Sequence, residues 1–275
     1  MAENSISELK RIARQIREDV IRTARDCSEG VHVGGSLSIV EVLAVLYFKV
    51  MNVDPQNPDM PNRDRFVLSK GHANAGLSAA MARRGFFPIE EMEQFDMLNA
   101  PLSMHIDRHR MRGVEISSGS LGHGLPVAVG MALGGKLDKA PWKVYCVIGD
   151  GEIMEGSMWE AMMSAAHYKL SNLVAVLDRN SFSLDGPTES IMSLEPLAEK
   201  IKAFGWNVIE VDGHDVEALV KAFDSINYGG EKPTMIIAKT VKAKGIPHLE
   251  NTTKAHFAHL KPEEAEKAFA AIDAK

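Results

Sequence analysis

The chain has 275 residues, of which 45% are apolar and 25% charged, with a formal net charge of −6. That balance is ordinary for a soluble α/β protein and too acidic for a nucleic-acid binder, and no apolar run approaches the ~20 residues of a membrane span. Two cysteines, Cys27 and Cys146, are too few for a disulfide framework and indicate a reducing cytoplasm.

Residues 7–26 carry Leu9, Ile12, Ile16, Val20 and Ile21 on one helical face. This charged amphipathic helix lacks the apolar core of a signal peptide. A glycine-rich loop follows, CSEGVHVGGS, then an apolar helix from Leu37 to Val50. Pro55, Pro58 and Pro61 break the next stretch. Arg65 to Ser69 reads as a short strand, and Lys70-Gly71-His72 opens a small-residue helix through Ala82. Residues 100–118 are irregular. Leu121 to Leu137 reads as a helix of small residues, suited to close packing. Beyond residue 180 come a loop (181–194), a helix, a strand Trp206 to Val211, a helix from Val216 and a strand Met235 to Lys239. Residues 241–261 are again irregular, and a last helix follows Pro262.

The centre is VYCVIGDGEIMEGSMWEAMMSAAHYKLSNLVAVLDRN, residues 144–180. The β-branched run Val144 to Ile148 stops at Gly149-Asp150-Gly151. Met154, Met158, Ala161, Ala165 and Tyr168 then recur at helical spacing, and Leu173 to Leu177 forms a second strand. This βαβ unit makes its strands parallel neighbours. Asp150 and Asn180 then leave the same carboxyl edge of the sheet, where open α/β sheets bind ligands. An Asp, an Asn and bare glycine backbone at that edge suit a hard cation holding a diphosphate. The cation is physically required: a carboxylate about 4 Å from a phosphate charge is repelled by roughly 4 kcal/mol at an effective dielectric of 20. Alternation of strands and helices along the chain argues a doubly wound, mostly parallel α/β sheet of five or six strands with helices on both faces, and a single domain over residues 1–275.

Gly-Asp-Gly followed after about 30 residues by Asn resembles the thiamine diphosphate motif, and GDGEIMEGSMWEA…NLVAVLDRN resembles transketolase, from about residue 20 to 260. The resemblance implies the fold of the family's diphosphate-binding domain. It implies thiamine diphosphate and Mg²⁺ as cofactors, with Ca²⁺ or Mn²⁺ as substitutes. The metal ligands it carries over are Asp150, Asn180 and the backbone carbonyl of Phe182. His32, His72, His105 and His256 match the family's active-site histidines, which hold the diphosphate, contact the donor sugar and assist proton transfer. Here the neighbours of His32 and His105 depart from the family pattern, and Phe257 follows His256 where glycine is usual. Gly119-Ser120-Leu121-Gly122-His123-Gly124 resembles the family's GPLGQG loop, whose backbone cradles the cofactor near Gly119 and Leu121. Gly151 belongs to the same cofactor set, and Glu155 matches an acid at the family's subunit interface.

Within the resemblance, the chain ends where the family's first domain ends. The pyrimidine-binding domain, with the Glu that activates the cofactor, is therefore expected on a C-terminal transketolase subunit, two of each chain assembling together. The small-residue helix at 121–137 and the Met-rich helix at 154–168 are candidate contacts. The implied reaction moves a two-carbon ketol unit from a ketose phosphate to an aldose. The departures around His32 and at 104–113 leave room for a branched-sugar phosphate or a sulfo-sugar. Two alternatives stay open: a 2-oxo-acid decarboxylase or dehydrogenase subunit, and a non-catalytic cofactor-binding paralogue.

Overall fold

The computed structural model describes residues 4–273. Its centre is a fully parallel five-stranded sheet in the order β1-β2-β3-β5-β4. The strands are β1 (Arg65–Leu68), β2 (Val144–Gly149), β3 (Leu173–Arg179), β4 (Asn207–Asp212) and β5 (Thr234–Lys239). The helices are α1 (Ile6–Asp26), α2 (Val33–Leu37), α3 (Val40–Val45), α4 (Asn74–Arg84), α5 (Gly124–Leu137), α6 (Gly156–His167), α7 (Thr188–Ile191), α8 (Leu197–Ala203), α9 (Val216–Asp224) and α10 (Pro262–Asp273).

Side chains alternate along each strand, so the sheet feeds two cores. Phe66, Tyr145, Val147, Val174, Val176 and Ile236 face α1, α3, α4 and α9. Val67, Cys146, Ile148, Ala175, Leu177 and Ile237 face α5, α6 and α8. β2 and β3 are buried on both faces throughout, as a parallel sheet covered on both sides requires. The expected doubly wound α/β sheet is therefore present, with five strands.

Local signals account for three helix starts. Ser5 caps α1 by accepting the Glu8 N–H, and Asp215 caps α9 through Glu217 and Ala218. Pro262 opens α10. Four expectations shift. The loop expected at 181–194 holds the short helix α7. The helix expected from Leu37 to Val50 breaks at Ser38, whose hydroxyl bonds the Gly35 carbonyl and the Asp178 carboxylate at 3.1 and 2.7 Å. It then ends in a wide turn, Leu46–Val50, closed by Met51 N–H to the Leu46 carbonyl. The expected glycine-rich loop already turns helical at Val33. The helix expected from Leu121 starts only at Gly124, because Gly122 sits at φ +83° and gives its N–H to Glu152.

Candidate active site

Four strand ends meet on one edge. The β2–β3 register pairs Gly149 with Asp178, so Asp150 lies beside Arg179. β1 continues into Ser69 and Lys70, and β5 into Thr240 and Lys242. Above this edge opens a cavity of about 410 Å³. His32, His72, His105, Gly119, Leu121, Asp150, Gly151, Glu155, Asn180, Phe182 and His256 all line it. Every site residue expected from the sequence is thus brought to one place, although these residues span from before α2 to beyond β5.

The four histidines form a ring cluster. His32 lies 5.3 Å from His72, 5.4 Å from His105 and 5.2 Å from His256, centroid to centroid, and His72 lies 5.3 Å from His256. Burial, then the neighbouring His256 and His105, lowers the His32 pKa to about 4. His256 falls to about 4 through burial and then Lys242 and Lys70. His72 is held well below its ordinary value by burial and by Lys70. As neutral imidazoles, His32, His72 and His256 pack at these distances without charge repulsion, and each keeps one donor and one acceptor nitrogen. The buried Nδ1 of His32 has no hydrogen-bond partner. Phe257, which follows His256 where glycine is usual, packs T-shaped against His32 with ring centroids 5.0 Å apart.

Asp150 is buried. Its carboxylate accepts Gly151 N–H at 2.8 Å and Ser181 N–H at 2.6 Å, and pairs with Arg179 at 3.2 Å. Burial and then the nearby Asp178 nevertheless raise its pKa to about 6. Asn180 donates its amide to Asp178 at 2.7 Å, and its side-chain oxygen accepts the Phe182 N–H at 3.0 Å. A buried carboxylate, a carbonyl oriented by its own hydrogen bonds and an unpartnered imidazole nitrogen form a donor set that fits a hard cation and a phosphorylated cofactor. Close packing supports it. A Cβ on Gly151 would lie 3.1 Å from Ser183, and one on Gly35 would lie 3.3 Å from His72 Nε2.

Sequence reasoning missed four residues that build the floor. Asp178 is fully buried and accepts Lys70 Nζ at 2.5 Å, Ser38 at 2.7 Å and Asn180, with Thr240 on its other oxygen. Burial pushes its pKa up, but Lys70 and the hydroxyl donors bring it below the ordinary value. Lys70 also donates to the Gly35 carbonyl at 2.8 Å. Lys242 donates to the Ser183 carbonyl at 2.7 Å, and burial lowers its pKa to about 8 against the pull of Asp150. Glu152 is buried and accepts Ser69, Gly122 and Gly149, tying the ends of β1 and β2 to the 119–122 loop. Lys70, Glu152 and Asp178 lie within two residues of His72, Gly151 and Asn180, which is their only sequence signal; Lys242 has none.

The family model for the thiamine diphosphate-binding domain of transketolase matches residues 8–272. The chain belongs to the transketolase family. It is 42% identical over 273 residues to a 6-deoxy-6-sulfo-D-fructose transketolase subunit of Clostridium sp. (strain MSTE9), covering 99% of this chain and 98% of that one. It is 43% identical over 237 residues to an apulose-4-phosphate transketolase subunit of Phocaeicola vulgatus, covering 86% and 84%. The structure of Leishmania mexicana transketolase superposes with a TM-score of 0.89 at 30% identity, over 98% of this chain and 42% of that one. A Pichia stipitis transketolase in complex with sedoheptulose 7-phosphate gives 0.89 at 30% identity, over 96% and 40%. The chain thus spans about two-fifths of those solved chains. The expected resemblance, fold and transketolase-subunit character are borne out.

Proposed function

We propose that this chain is the diphosphate-binding subunit of a two-chain, Mg²⁺-dependent transketolase of the reducing cytoplasm, with its site completed by a separate pyrimidine-binding chain. The observation that carries this reading is the convergence of four histidines on the strand edge that holds Asp150 and Asn180. Asp150, the Asn180 side chain and the Phe182 carbonyl would hold the metal, with Ca²⁺ or Mn²⁺ as substitutes. Lys70 and Lys242 give the floor positive charge for a diphosphate. Gly119, Leu121 and Gly151 bring backbone to the cofactor.

Thiamine diphosphate supplies the carbanion chemistry when bound. The chain's residues position and exchange protons. His32, with its Nδ1 unengaged, and its neighbours His72, His105 and His256 present ring donors and acceptors to the hydroxyls of a ketose donor. A 2-oxo-acid donor would need fewer such partners. The two subunit relatives are named for ketoses bearing a sulfonate and a phosphate. A ketose with a terminal anionic group is accordingly the proposed donor class.

Residues 1–275 are proposed to form a single diphosphate-binding domain that supplies this half of the site. Val127 and Leu137 on α5 and Met163 and Tyr168 near α6 are exposed apolar residues. They are the proposed contacts in an assembly of two of each chain, and Glu155 at the cavity rim would face that interface. Among the described residues no helix is long and apolar enough to cross a membrane, and both cysteines are unpaired.

The test is calorimetric titration of thiamine diphosphate with Mg²⁺ into the wild-type chain and Asp150→Ala. It is followed by ketol transfer from xylulose 5-phosphate, 6-deoxy-6-sulfofructose and apulose 4-phosphate, with and without the partner chain. We expect Asp150→Ala to lose Mg²⁺-dependent binding with its circular dichroism unchanged, and turnover only in the mixture. Equal cofactor binding by Asp150→Ala overturns the metal assignment.

A further inference from the structure

A second cavity adjoins residues 244–245, in the loop that also carries Lys242. It measures about 530 Å³ and is bounded by α1, the start of α9, residues 244–245 and the end of α10. Small-molecule sites run from about 300 to 1,000 Å³. Ala13, Val216 and Ile272 give it apolar walls, and Lys10 and Lys244 also line it.

Charge accounting separates the cations already used from those left over. Glu41 is the one carboxylate among the lining residues. It is taken by Arg17, and by His214 Nδ1 at 2.9 Å. Burial pushes Glu41 up, but Arg17 and His214 bring it down to about 2. His214 Nε2 accepts the Val241 N–H at 2.9 Å, so its proton sits on Nδ1 and faces Glu41. Arg11 pairs with Glu8 at 2.6 Å, and Arg14 with Glu18 at 3.1 Å and with Asp273. Among the described residues neither Lys10 nor Lys244 is paired with a carboxylate. Hydrogen bonds tie the walls together: Arg17 Nη1 donates to the Leu37 and Lys244 carbonyls at 2.9 and 2.5 Å, and Ala243 N–H reaches the Gly34 carbonyl at 3.1 Å.

We propose that this cavity binds a small metabolite with an apolar body and one anionic group, a carboxylate, sulfonate or phosphate, seated between Lys10 and Lys244. The apolar walls bury the body, and two ammonium groups with no carboxylate partner among the described residues meet the anion without first breaking an ion pair there. The site stands independently of the cofactor reading, because none of its lining residues belongs to the first cavity.

The probe is 8-anilinonaphthalene-1-sulfonate, which joins an apolar body to one anion. Its fluorescence is titrated into the full chain, Lys10→Glu/Lys244→Glu and Asp150→Ala, with inorganic phosphate as competitor. We expect saturable binding by wild type and Asp150→Ala with equal affinity. Affinity should be at least tenfold weaker in the lysine double variant, whose circular dichroism and melting curve stay native. Millimolar phosphate should displace the probe. Equal affinity in the double variant overturns the proposal, as does the absence of saturable binding by wild type.

Discussion

Replacing Lys70 by Met tests whether the Lys70–Asp178 pair is the electrostatic floor of the site. Both side chains are essentially excluded from water, and Nζ lies 2.5 Å from Oδ2. Methionine keeps much of the volume but removes the charge and the donation to the Gly35 carbonyl at 2.8 Å. Asp178 then keeps Ser38, Asn180 and Thr240 as donors but loses its only direct cation among the described residues. Breaking a buried pair by removing one partner costs about 3–5 kcal/mol, because the remaining charge is left uncompensated. For a chain of this size about 2 °C of melting temperature goes with each kcal/mol, so a drop of about 6–10 °C is expected. Urea denaturation followed by circular dichroism reads the energy. The companion variants Asp178→Asn and Lys70→Met/Asp178→Asn close a cycle, with a coupling of about 2 kcal/mol expected within the range for contacting pairs. A loss under about 1 kcal/mol in Lys70→Met, or additive effects in the cycle, refutes the reasoning.

The remaining predictions concern protons and packing. In the metal-free chain, His32 and His256 should titrate with midpoints near pH 4 in imidazole-resolved NMR spectra; midpoints near 6.5 would contradict their burial. The sign follows from linkage: below about pH 6.5 the unfolded chain takes up protons that the folded chain refuses, so stability falls from there down to about pH 4 and is unaffected above. Gly130→Ala and Gly134→Ala each place a Cβ in open space on α5. Each should stabilise the isolated chain by about 0.5–1 kcal/mol through helix propensity, measured by denaturant midpoint. If α5 packs on another chain, the same variants weaken assembly in sedimentation experiments, and unchanged assembly removes α5 from the interface.

Much of the site is legible in the sequence because it is written in chain spacing. Asp150 and Asn180 are separated by one strand-to-strand crossover, and a right-handed βαβ unit leaves little freedom about where its ends emerge. The histidines are legible only through the family resemblance, since they lie far apart in the chain. That they meet within 5.2 to 5.4 Å of His32 depends on the loops after α1, β1 and β5 and on residue 105 folding over one edge.

Strand periodicity and turn residues by themselves determine the α/β class, the parallel pairing of β2 with β3 and the edge on which Asp150 and Asn180 sit. Tertiary structure alone decides the strand order, which inserts β5 beside β3 and so brings Thr240 and Lys242 to the site. It also decides that Ser38 breaks a long apolar helix to reach Asp178, and that Gly122 delays α5 to reach Glu152. Local propensity concerns neighbours three or four residues apart. A buried carboxylate must find its donors wherever the fold brings them, and Asp178 takes its own from positions 38, 70, 180 and 240.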